Sequence, residues 1–144
     1  MNGSNAVLCA AVSWAVAQVL KATLYYATNK HFKAGRLTGS GGMPSTHSAA
    51  VTGFATAIFF RYGLESFEFS ISAFLGLIVM YDACHVRWAA SQHAKRLNDL
   101  EEKRAQESGE ENTVKPLNEF IGHSSLQVLV GGMIGIVVAL LLNL

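Results

Sequence analysis

The chain holds two stretches whose residue types and spacing suit chemistry. The first reads SGGMPSTHSA, from Ser40 to Ala49. Gly39, Gly41 and Gly42 free the backbone to adopt positive φ. Pro44 suits the first turn of a helix, and Ser45 or Thr46 can cap it. A loop that feeds a helix in this way presents unpaired N–H groups and the positive end of a dipole, which together attract an anion. Lys33 and Arg36 lie just upstream and would add positive charge. His47 falls in the first turn, where it can give or take a proton near neutral pH. Taken alone, an ordinary capped loop explains this stretch more simply.

The second stretch reads IGHSSLQVLVGG, from Ile121 to Gly132. Again a glycine precedes a histidine that opens an apolar helix. His123 and Gln127 are four apart and share a helix face. Gln127 can accept a hydrogen bond from one imidazole nitrogen, fix the tautomer and leave the other nitrogen to act. Two histidines, several cations and an anion-binding helix start point to phosphate chemistry. No residues show metal-ligand spacing, so neither a metal nor another cofactor is expected. A net charge of +1 carries no nucleic-acid signature.

The elements that must position these residues are apolar helices. Hydrophobic residues make up 51% of the 144 and charged residues only 15%, too greasy a balance for an ordinary soluble domain. Residues 1–20 and 122–144 contain no Lys, Arg, Asp or Glu, and each block approaches the ~20 residues of a bilayer-crossing helix. Four apolar segments stand out: about Ala6–Tyr26, His47–Phe60, Phe67–Tyr81 and Leu126–Leu144. The second is short enough to be a buried helix instead, although Arg61 and Tyr62 suit a membrane interface. Ser91 to about Gln106 reads as a solvated helix continuing the third segment, followed by a loop near Gly109. Strand-like alternation is absent. The expectation is an all-α integral membrane bundle, residues 1–144 as one domain, with about four spans and a polar helix and loop between the third and fourth.

With four spans, residues 27–46 and 82–122 share one membrane face. Of the 11 Lys and Arg residues, only Arg61 belongs to the other face. The positive-inside rule then places the histidine-bearing loops in the cytoplasm of a cell (inner) membrane protein. Cys9 and Cys84 lie in apolar stretches and read as free buried thiols. Gly131, Gly132 and Gly135 suit close helix approach. Ionisable residues within apolar spans are costly and often functional, which draws attention to Lys21 and Asp82.

GGMPSTHSA, residues 41–49, resembles the GGMPSSHSA signature of the divergent PAP2 family of membrane proteins, relatives of type 2 phosphatidic acid phosphatases and vanadium haloperoxidases. Other matches follow in order: QVLK at 18–21, VMYDACHVR at 79–87, QHAKRLN at 92–98, and EFIGH at 119–123 with Gln127-Val128. They cover nearly the whole chain. The resemblance implies a phosphatase acting through a phosphohistidine. His123 would be the nucleophile and His47 the acid that protonates the leaving oxygen. Gln127 stands where an acid partner normally orients the nucleophile, with Asp82 or Glu119 as the carboxylate instead. Lys21, Arg36, Gly42, Ser45, Thr46 and Arg87 would hold the phosphoryl oxygens. The implied substrate is a lipid phosphate: phosphatidylglycerophosphate, phosphatidic acid or an isoprenyl phosphate. The other reading is a non-catalytic membrane module that binds anionic lipid or a protein partner. Contact with membrane lipids follows from either, and a homo-oligomer is compatible with both.

Overall fold

The structure, a computed structural model, describes residues 5–29, 42–109, 114–119 and 121–144. Among the described residues five α-helices form: α1 (Ala6–Asn29), α2 (Thr46–Tyr62), α3 (Phe67–Tyr81), α4 (Arg87–Ser108) and α5 (Ser125–Asn143). No strand occurs among the described residues. A π-helical turn, Asp82–Val86, joins α3 to α4, so Phe67–Ser108 is one continuous helix of 42 residues. The polar half of that helix ends at Ser108, where Gly109 takes φ 68°.

Among the described residues three helices are long and apolar enough to cross a bilayer: Ala6–Thr28, Phe67–Ser108 and Ser125–Asn143. α2, the other expected span, has 17 residues. At ~1.5 Å per residue it reaches only about 26 Å, short of the ~30 Å hydrocarbon thickness. It lies in the middle of the bundle, packed against α1, α3 and α5.

Contacts fix the directions. Gly53 of α2 meets Ser13 of α1, and Gly42 meets the stem of Lys21, so α1 and α2 are antiparallel. Gly131 and Gly135 of α5 meet Ser45 and Ala49, so α5 runs parallel to α2. Gly76 of α3 meets Val51, while Phe69 and Phe59 meet edge to face, so α3 opposes α2. Lys21, residues 42–47, the π turn and residues 121–127 therefore gather at one end of the bundle. Cys9, Ala57 and Ala139 close the other.

Side-chain size is sorted in the reverse of a soluble protein. The interior consists of small residues, including Ala17, Ala49, Ala57, Ala83, Ala139, Ser13 and Ser48, with Val128 the largest aliphatic. Phe67, Phe74, Leu77, Leu129 and Leu141 point outward. Lipid tails are as apolar as leucine, so burying large side chains gains little, and close backbone packing holds the helices together. A Cβ at Gly131 would overlap the Ser45 carbonyl oxygen, and one at Gly135 the Ala49 carbonyl oxygen. At this crossing the Thr52 hydroxyl donates to the Gly132 carbonyl at 2.8 Å.

Candidate active site

α2 begins at Ser45, whose hydroxyl accepts from Ser48 N–H at 3.4 Å and from the Ser48 hydroxyl at 2.9 Å. Its own N–H donates to the Gln127 carbonyl at 3.1 Å. Ser45 is fully buried. Its polar groups cap α2 and join it to α5. Pro44 precedes the cap instead of opening the helix. His47, two residues after the cap, is exposed on the first turn, and Thr46 beside it is buried. Gly42 takes φ 97° and lies over the aliphatic stem of Lys21. Lys21 is 5% exposed, and its charge acts on both His47 and His123. Arg36, with Lys33, lies outside the described residues.

His123 sits just before α5, whose cap is Ser124 in a capping box with Gln127. Gln127 Oε1 accepts from Ser124 N–H at 3.1 Å and lies 3.2 Å from His123 Nδ1. Since Oε1 is the atom that receives Ser124 N–H, Nδ1 must carry the proton of the second bond. Nε2 is then the nitrogen with a lone pair. It is buried, with no hydrogen-bond partner among the described residues. The residue is 2% exposed. Desolvation pushes its pKa below the ordinary imidazole value. The Gln127 hydrogen bond works in the opposite direction, and the charges of Lys21, His47 and Arg87 lower it further.

The π turn supplies the facing wall. Its i→i+5 pattern brings Arg87 N–H to the Asp82 carbonyl and aligns the two side chains, with Arg87 Nε 2.6 Å from Asp82 Oδ2. His47, Val79, Asp82, Ala83, Arg87, Ile121 and His123 line one cleft. An apolar recess of about 500 Å³ is walled by Leu77, Ile78, Met80, Tyr81, Cys84, Ser125, Val128 and Leu129. Glu119 accepts from Asn98 Nδ2 at 2.8 Å and does not line the cleft. Asp82 does line it but pairs with Arg87. Neither carboxylate is the partner of His123 Nδ1, which faces Gln127 instead.

Sequence reasoning missed the residues that hold the His123 loop: Ala83, Ser91, Asn98 and the seat of Gly122. The glycine before His123 was the one visible signal. A Cβ there would overlap the backbone of Trp88.

Two histidines thus share one cation-bearing cleft at the end of a helical membrane bundle. The chain belongs to the Divergent PAP2 family, which matches it over residues 3–138. It is 36% identical over 135 residues to "Uncharacterized membrane protein YuiD" of Bacillus subtilis (strain 168), an alignment covering 88% of this chain and 85% of that relative. No solved structure matches the chain. The protein is thus a membrane protein of a family related to phosphatases, its outward-facing helices in contact with lipid.

Proposed function

We propose that the chain, acting as one domain, is a lipid-phosphate phosphatase that works through a phosphohistidine. The observation that carries this reading is the common cleft of His47 and His123 beside Arg87. His123 Nε2 attacks phosphorus, and the bond from phosphorus to the leaving oxygen breaks. His47, as imidazolium, gives that oxygen its proton. Now neutral, His47 takes a proton from water as the water attacks the phosphohistidine. Inorganic phosphate leaves and Nε2 recovers its lone pair. Histidine is an adequate covalent nucleophile, and a positioned general acid contributes ~10²–10⁴-fold.

Phosphoryl transfer asks the protein for alignment and for positive charge around the equatorial oxygens. Asp82 occupies only Nε of Arg87, so the terminal guanidinium nitrogens remain for two phosphoryl oxygens. Lys21 supplies a second charge from below, and the N–H groups of Thr46 and His47 face the helix start. Arg36 is proposed as a third cation from the family motif. The apolar recess supports a substrate with a hydrocarbon tail, such as phosphatidylglycerophosphate, phosphatidic acid or an isoprenyl phosphate. The cluster of Lys and Arg at this end supports a cytoplasmic orientation in the cell membrane.

One feature favours binding without turnover: Gln127 gives His123 no negative charge to stabilise an imidazolium. Phosphate release by detergent-solubilised protein from a lipid-phosphate panel, wild type beside His123→Ala, tests the reaction. Turnover by wild type alone, with an acid-labile phosphohistidine trapped on it, is expected. Equal release by the two proteins would sink the mechanism.

A further inference from the structure

The loop that carries His123 is tied to one face of a single helix. The Ala83 carbonyl accepts from His123 N–H at 3.0 Å. Ser91 Oγ accepts from Ile121 N–H at 3.2 Å and from Gly122 N–H at 2.9 Å. Asn98 clamps Leu117 from both sides: Nδ2 donates to its carbonyl at 3.0 Å, and Oδ1 accepts from its N–H at 2.8 Å. Ser91 and Asn98 are seven apart, two turns along one face of α4, and Ser91 is buried there. Residues 117–119 and 121–123 have no helix or strand of their own, so side chains must satisfy their backbone groups. The α5 capping box orders the chain only from Ser124 onward. Upstream of it, these ties set where the imidazole stands.

We propose that Ser91 and Asn98 are positioning residues, and that the first half of α4 is a splint fixing the height and angle of His123 over the phosphoryl group. The proposal rests on the reading of His123 as nucleophile. It gives the polar arm a task beyond solubility: half of the arm indexes the reacting nitrogen to the π turn and to Arg87 just after it. Among the described residues the charges of Lys21, His47 and Arg87 act on His123, and Asp82, paired with Arg87, lines the same cleft.

The test compares Ser91→Ala, Asn98→Ala and the conservative Ser91→Thr with Gln92→Ala, a change on the exposed face of the same helix. Each variant is assayed for kcat and KM. Each is also titrated by NMR on ring-labelled histidine in detergent, with His123 assigned through His123→Gln. A displacement of about 1 Å costs ~10²-fold, so both alanine variants should lose roughly that factor in kcat with KM within about twofold. Ser91→Thr and Gln92→Ala should match wild type. In the alanine variants water reaches the loosened imidazole, and its titration should rise toward the ordinary value. Should Asn98→Ala not purify folded, Asn98→Ser, a smaller truncation, takes its place. Wild-type kcat together with an unmoved His123 titration in both alanine variants would overturn the splint. If no protein releases phosphate but the titration moves, Ser91 and Asn98 still position His123, while the phosphatase reading, and with it the catalytic purpose of the splint, falls.

Discussion

His47 and His123 occupy two helix starts that look alike in sequence, each beside a serine cap and downstream of glycine. The fold treats them differently because they lie on opposite sides of their caps. His47 comes two residues after Ser45, so it is part of the α2 wall and reaches solvent. His123 comes one residue before Ser124, so it belongs to the incoming loop and is held by outside groups in a dry site. A proton donor benefits from exchange with water, and a nucleophile benefits from a fixed lone pair. A three-residue shift relative to the cap separates those two conditions.

The largest contrast should appear when leaving-group quality is varied. His123→Ala should abolish turnover of every phosphate ester. His47→Ala should lose ~10²–10⁴-fold on an alkyl phosphate and recover most of that on p-nitrophenyl phosphate, whose leaving oxygen needs no proton. Equal losses on both esters would erase the division of labour. Next in size is Gly131→Ala. The added methyl overlaps the Ser45 carbonyl and pushes α2 from α5, the two helices that set the spacing of the histidines. A loss of ~10²-fold in kcat with the fold retained by circular dichroism is expected.

A smaller effect should be visible in the pH profile. The nucleophile must be neutral, and desolvation first, then nearby cations, hold the His123 pKa low. Activity limited by this group should therefore persist below the ordinary imidazole value of about 6.5 and fall only as His123 gains a proton. Gln127→Glu places a negative charge beside Nδ1, favours the imidazolium and should move that acid limb to higher pH. An unmoved limb in kcat/KM would separate His123 from the titration. The smallest effect belongs to Thr52→Val, which removes one interhelical hydrogen bond worth about 0.6 kcal/mol in a membrane bundle. Unfolding in detergent should register it, while turnover stays near wild type.

Much of this architecture could be read from residue patterns. Uncharged blocks marked α1 and α5, and the run of Glu, Lys, Arg and Gln after Ser91 marked the helical arm. The Gly131–Gly135 stripe marked a close crossing, and the four-residue spacing brought Gln127 to His123. What escaped reading depends on non-local contact. Nothing in Asp82-Ala83-Cys84-His85-Val86 announces a π turn, yet that turn aligns residues five apart and so gives Arg87 to Asp82. Glu119 looked as fit as Asp82 to serve His123 until Asn98 engaged it from another helix. Ser45 carries a hydroxyl in a phosphate-binding type of motif, and its burial, cap bonds to Ser48 included, arises only once α5 packs against it.

The small-residue interior has an evolutionary consequence. In most folded chains the damaging substitutions shrink a central side chain; here they should enlarge one. Random mutation would find Ala49, Ala57, Gly53 and Gly135 nearly immutable, since any gain in bulk meets backbone or a packed neighbour. The outward Phe67, Leu77 and Leu141 should drift freely among greasy types. Lineages of such a protein would diverge fastest on their lipid-facing coat and preserve a spine of alanine and glycine.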